Sequence, residues 1–218
     1  TTVFVFRYDG TSPTNPTQAV ETQSVQSGVW QKDVSDPSFT WTAATDTHSG
    51  VAGYDVYFGP TLEPNPTPTV TPTPSGSDFV DKPEYDPAGV SSGKYVLIIR
   101  TVDQVGNLSA WVKLFDFWYD GDNPPTPGNL TTADPATDST PTFTWDAVTD
   151  AHSGLDVYQI YWGTDGACGT KNQPDTTSAS FTAPEITSTG VPYLLCVRAR
   201  DRAGNLSDWA QTTFTYTP

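Results

Sequence analysis

Phe39-Thr-Trp-Thr-Ala-Ala-Thr-Asp-Thr-His-Ser-Gly50 returns further along the chain as Phe143-Thr-Trp-Asp-Ala-Val-Thr-Asp-Ala-His-Ser-Gly154. Self-similarity of this length marks a repeated structural unit. The match continues downstream. Tyr54-Asp-Val-Tyr-Phe-Gly59 corresponds to Tyr158-Gln-Ile-Tyr-Trp-Gly163, and Tyr95-Val-Leu-Ile-Ile-Arg-Thr-Val-Asp103 to Tyr193-Leu-Leu-Cys-Val-Arg-Ala-Arg-Asp201. Within these runs apolar residues alternate. Tyr54, Val56 and Phe58 share one face and Asp55 and Tyr57 take the other, the period of a half-buried strand. No stretch shows helical periodicity. Val105-Gly106-Asn107 and Ala203-Gly204-Asn205 punctuate the runs where a glycine tolerates the positive φ of a reversal. The expected fold is all-β, with the same strand order in each repeat.

With 218 residues, the chain has room for two such units. The repeat places them at 11–121 and 122–218. A third partial copy opens the chain: Phe4-Val-Phe-Arg-Tyr-Asp-Gly10 matches Phe115-Asp-Phe-Trp-Tyr-Asp-Gly121, the end of the first full repeat. Residues 1–10 therefore read as an orphan final strand. Either it ends a preceding domain of a longer polypeptide, or Val3, Phe4, Val5, Phe6 and Tyr8 form a donor strand that adds to the sheet of a neighbouring subunit and builds a filament. The absent initiator methionine fits a processed or excised segment.

The formal charge of −15, with ten Lys plus Arg, leaves no basic patch for phosphates, so nucleic acid is excluded as a partner and anionic membrane is disfavoured. No apolar run approaches the ~20 residues that span a bilayer, which argues against direct membrane insertion. Abundant Thr, Ser, Pro and Gly, absent Met and scarce Lys fit an exported, extracellular or cell-surface protein.

Trp41-Thr-Ala-Ala-Thr-Asp46, Tyr54-Asp-Val-Tyr57 and Asp103-Gln-Val-Gly-Asn-Leu-Ser109, with their second-repeat counterparts, resemble bacterial fibronectin type III-like modules of the immunoglobulin-like β-sandwich class. The resemblance covers about 90 residues of each repeat, with the strand-B Trp, strand-C Tyr and strand-F Tyr in matching places. It implies two tandem β-sandwiches and a non-catalytic role: a stalk or spacer, a filament-forming subunit, or an accessory carbohydrate- or protein-binding module of a secreted enzyme or adhesin. The partners it implies are protein, by self-association or through neighbouring domains, and polysaccharide. The first repeat departs from the pattern at Pro64-Asn-Pro-Thr-Pro-Thr-Val-Thr-Pro-Thr-Pro74. Homologous strands flank this tract, so 60–76 reads as an extended inserted loop.

The sandwich topology gathers the B–C loop, the F–G loop and the incoming linker at one end. Asp9, Asp46 and Asp103 of the first repeat, and Asp120, Asp122, Asp150 and Asp201 of the second, are thereby candidate calcium ligands. The competing reading is that Asp in such loops caps backbone N–H groups. His48 and His152 are too few for zinc and read as loop packers. No cofactor is required, and no nucleophile and base stand apart from the repeat, so an enzyme is not expected. Cys196 lies in a strand whose Tyr193, Leu195 and Val197 face the core. Its side chain therefore points to the outer face, within reach of Cys168, and a disulfide is expected. Asn107-Leu-Ser109 and Asn205-Leu-Ser207 are explained by their turns, which leaves Asn129-Leu-Thr131 as the glycosylation candidate. Trp41 and Trp145 belong to the buried strand-B position, and Trp111 and Trp209 recur at equal spacing. Trp30 and Trp118 lack counterparts and are the candidates for a binding surface.

Overall fold

The computed structural model describes residues 3, 7–60 and 76–218, and it resolves into two compact units, Thr1–Tyr119 and Asp120–Pro218. The boundary falls just before Asp120, which the sequence placed at the end of the first repeat. The reason is local: Asp120 is fully buried and bonded within the second unit. Every element assigned among the described residues is a strand.

The first unit comprises β1 (Thr17–Glu21), β2 (Trp30–Gln31), β3 (Phe39–Thr42), β4 (Val51–Pro60), β5 (Asp78–Val80), β6 (Glu84–Tyr85), β7 (Gly93–Asp103) and β8 (Val112–Tyr119). They form a β1-β3-β6 sheet and a β2-β8-β7-β4-β5 sheet. Pairing is antiparallel except for β2, which lies parallel to β8 with Trp30 opposite Trp118. Between the sheets lie Phe39, Trp41, Tyr54, Val56, Leu97, Ile99, Phe115 and Phe117. Each fully buried apolar side chain of this size contributes about 1.5–3 kcal/mol. The alternation expected for β4 holds, with Tyr54 and Val56 inward. At Gly53 any Cβ would collide with the Val80 carbonyl and the Phe79 ring, so a glycine is what lets β5 lie against β4.

The second unit comprises β9 (Thr131–Thr132), β10 (Thr142–Thr144), β11 (Leu155–Gly163), β12 (Ser180–Thr182), β13 (Pro192–Asp201) and β14 (Ala210–Thr215), in sheets β12-β10-β9 and β11-β13-β14. Phe143, Trp145, Tyr158, Ile160, Leu195, Val197, Ala199 and Phe214 lie in its core and match the first at every position but two: Ala199 stands where Thr101 is buried, and Thr212 stands where Phe115 does. The same register irregularity opens β4 and β11, at Val51/Gly53 and at Leu155/Val157. In both units a strand-C tyrosine pins the loop that precedes it. Tyr54 Oη accepts the Ala44 amide at 3.0 Å, and Tyr158 Oη accepts the Val148 amide at 2.7 Å.

Candidate functional site: a carboxylate pole and an aromatic row

At one end of each unit three carboxylates converge, with ligand-type oxygens within 4.8 Å of one another: Asp9, Asp46 and Asp103 in the first, Asp120, Asp150 and Asp201 in the second. They come from the incoming segment, the loop before β4 or β11, and the turn after β7 or β13. Each is held by backbone amides. Asp9 Oδ2 accepts the Ser49 amide at 3.0 Å, and its Oδ1 accepts the Thr11 amide at 2.9 Å. Asp46 Oδ1 accepts the His48 and Gly50 amides at 3.0 and 2.8 Å. Asp103 Oδ1 accepts those of Val105 and Asn107 at 3.0 and 2.7 Å.

The second unit repeats the scheme. Ser153 donates to Asp120 Oδ2 at 2.9 Å, His152 and Gly154 to Asp150 Oδ1 at 3.1 and 2.8 Å, and Asn205 to Asp201 Oδ1 at 2.8 Å. Gly50 and Gly154 take φ of 85° and 79° in the loop, and Gly106 and Gly204 take 92° and 93° in the turn, a conformation that favours glycine.

The electrostatics follow from these bonds. Hydrogen bonds from the Thr11 hydroxyl and amide, and then from Ser49, hold the Asp9 carboxyl below the ordinary carboxylate range. Burial pushes Asp103 and Asp120 up, but donors from Asn107 and Val105 in one case, and from Ser153 and Asp122 in the other, outweigh it and leave both low. Asp201 goes the other way. Burial raises it, the Asn205 donors only partly offset this, and repulsion from Asp120 adds to the rise.

Calcium takes six to eight oxygens. The clustered carboxylates are the right ligand type, but each already accepts loop amides that define its turn. Asp122 departs from the expected set. It meets Asp120 and His152 instead, with His152 Nδ1 at 3.5 Å from Asp122 Oδ2 and 3.9 Å from Asp120 Oδ1. His48 Nδ1 lies 3.1 Å from Thr11 Oγ1. Both imidazoles thus pack on the pole of their own unit. Asn107 and Asn205, read from sequence only as turn residues, also tie the pole together. Their Nδ2 atoms donate to Asp103 and Asp201 Oδ2, and to the carbonyls of Asp9 and Asp120. The shared Asn-Leu-Ser spacing is explained on the serine side as well, because Ser109 and Ser207 Oγ accept the amides of Thr101 and Ala199 at 2.8 and 2.9 Å.

On the outer face of the first unit, Trp30, Trp118 and Lys94 form one row across β2, β8 and β7. The two indoles are half-buried with ring centroids 5.7 Å apart and planes tilted by 51°. The Lys94 ammonium lies 4.3 Å from the Trp118 centroid and 5.5 Å from that of Trp30. Trp111 and Trp209 are a different device, present in both units: Arg100 and Arg198 lie over them at 4.6 and 4.4 Å.

No protein-family model matches the sequence. Among curated proteins, the chain is 31% identical over 208 residues to Exoglucanase B of Cellulomonas fimi, covering 91% of this chain and 16% of that protein. It is 33% identical over 206 residues to Chitinase A1 of Niallia circulans, covering 91% of this chain and 25% of that one. Both matches run through both repeats, and the three-strand sheets with sheets built on β4-β7-β8 and β11-β13-β14 give the two units the same strand order, as the repeat predicts. The chain is a tandem of fibronectin type III-like β-sandwiches. A solved structure of the chicken CNTN1 FN1–FN3 domains aligns over 98% of the tandem and 71% of its own chain, with 17% identity and a TM-score of 0.42.

The remaining candidate residues of the tandem divide as follows. Cys168 and Cys196 form a disulfide within the second sandwich. Cys196 lies on the sheet face opposite Leu195 and Val197, but that face is covered: Cys196, Leu194 and Tyr161 are buried there with Cys168 and Trp209 against them. Asn129 has a φ of 52°, and its amide donates to Asp146 Oδ2 at 2.6 Å. Of the donor-strand residues, Val3 and Tyr8 are exposed and outside any strand, whereas Phe4, Val5 and Phe6 lie outside the described residues. Of the inserted loop, 60–76, residues 61–75 also lie outside them, and Pro60 is the last residue of β4.

Proposed function

We propose that this tandem is a non-catalytic spacer of an extracellular polysaccharide-degrading protein. The observation that carries the reading is the pair of relatives. One is named for glucan and the other for chitin, yet each matches about the same 91% of this chain while the match occupies only 16% or 25% of its own length. A stretch common to enzymes of different polymers is economically read as serving both without choosing the substrate. Polymers of this kind do not cross membranes, which favours an extracellular setting.

The internal symmetry supports the same reading. The carboxylate pole occurs in both sandwiches with the same partners and is tied up by backbone amides, which is the behaviour of a loop staple rather than of a general acid and base. A spacer needs folded units that resist opening, and these staples fix the loops where each sandwich receives the incoming chain.

The test is a fusion. The tandem is placed between a polysaccharide hydrolase domain and a carbohydrate-binding domain, and compared with a direct fusion of the two. The expected result is unchanged turnover of a soluble oligosaccharide with faster release of sugar from the insoluble polymer. Equal rates on the insoluble polymer would contradict the spacer reading.

A further inference from the structure

The Trp30–Trp118–Lys94 row is a feature of the first sandwich that the second does not repeat. The register makes this concrete. Lys94 faces Trp118 where Pro192 faces Thr215 in the second unit, and among the described residues no strand pairs with the outer edge of β14 as β2 does with β8. Further along the same face of the second unit, Tyr161, Leu194 and Cys196 are at most 6% exposed under the disulfide-linked segment, and Pro192, the counterpart of Lys94, is exposed with no indole beside it among the described residues. A device needed for folding a sandwich of this kind would be expected in both units, as the Arg100/Trp111 and Arg198/Trp209 stacks are.

We propose that the row is a contact site for a neutral polysaccharide, whose pyranose rings lay their apolar C–H faces on the Trp30 and Trp118 indoles while Lys94 donates to ring hydroxyls. The two indoles are neighbours in register on adjacent strands, so they present adjoining aromatic surfaces rather than a single ring. The ammonium over the Trp118 face is on an exposed, flexible side chain, which a sugar ring can displace without disturbing the core. Charge selects the polymer. The chain carries −15, and with Lys113 paired to Asp116 at 2.8 Å on β8 the row keeps a single positive charge, that of Lys94, too little to offset the overall repulsion of an anionic polysaccharide. This site rests on the reading of the tandem as an accessory to polysaccharide degradation, and it would add substrate contact to spacing.

The test is depletion of the full chain from suspensions of microcrystalline cellulose and of powdered chitin, which separates a glucan from an N-acetylglucosamine polymer as the source of the same ring chemistry. Depletion by at least one polymer is expected. Trp30→Ala and Trp118→Ala should each weaken it by about fivefold to tenfold, and Trp209→Ala should leave it unchanged. A second measurement needs no variant: oxidative footprinting of the wild-type chain with the polymer present should protect Trp30 and Trp118 and not Trp111. No depletion by either polymer, or depletion without that protection, would overturn the proposal. So would variants that lower the melting temperature but leave depletion intact, since the pair would then serve only to anchor β2. None of these failures touches the spacer reading, which is decided by the hydrolysis rates of the fusion.

Discussion

Asn205 Nδ2 donates to the Asp120 carbonyl at 2.8 Å, joining the last turn of the second sandwich to its first residue across 85 positions of sequence. The same amide group donates to Asp201 Oδ2 at 2.8 Å, and Asn205 is buried. Asn205→Ala leaves a buried carbonyl and a carboxylate oxygen short of donors, which costs about 1–3 kcal/mol. The equivalent bond in the first unit, from Asn107 to the Asp9 carbonyl, is longer at 3.3 Å and only part-buried. Calorimetric melting should therefore show a larger loss for Asn205→Ala than for Asn107→Ala.

Acid should weaken the tandem through these same carboxylates. Asp9, Asp103 and Asp120 lie below the ordinary value of 3.8 in the folded chain, so their stabilising contribution is complete above that value and is lost as pH falls through their folded values. Asp201 has the opposite sign. Its raised value gives a contribution present at low pH that disappears as pH rises through it. Three depressed groups against one raised group give a net fall in melting temperature from about pH 4 to about pH 2. Asp9→Asn should make that fall shallower.

Reduction should act on one sandwich only. The disulfide closes a segment with a sequence separation of 28 in the second unit, for which chain-entropy loss in the unfolded state amounts to about 3–4 kcal/mol. The Cys168→Ser, Cys196→Ser double variant should lower the unfolding transition of the second sandwich by that amount and leave the first in place. Hydrogen exchange of the β7 and β13 amides distinguishes the two.

Because loop amides already occupy the clustered carboxylates, the loops should hold their shape without a cation. Melting in the presence of a chelator should match melting in buffer, and added calcium should give no concentration-dependent rise. A rise that saturates would instead place calcium at the Asp9/Asp46/Asp103 or Asp120/Asp150/Asp201 cluster.

Much of the fold was legible because it repeats. The alternation through Tyr54, Val56 and Phe58 placed β4 correctly, and its copy placed β11. The convergence of Asp46 with Asp103 followed from topology alone. Other features had no periodic signal. β2 is two residues long, and its parallel pairing with β8 is what brings Trp30 to Trp118. Nothing in the sequence near Lys94 marks it as the third member of that row. Alternation told which face Cys196 takes but not that Tyr161 and Leu194 would be buried beside it, since cover comes from a loop. Glu21 is the clearest omission: a buried carboxylate that accepts the amides of Gln23, Val25 and Ser38, and so staples the connection from β1 to β3. In the second unit the same work is divided between Thr132 and Asp134, which accept the amides of Asp134 and Thr142, so no matching residue in the repeat revealed it.

The claim that the tandem serves polysaccharide degradation without performing it is tested most directly by incubating the purified chain with microcrystalline cellulose and powdered chitin and measuring released reducing sugar. No release above buffer is predicted from either polymer. Release that co-purifies with the chain and is abolished by Asp103→Asn or Asp201→Asn would contradict the account, since it would make the carboxylate pole an active site.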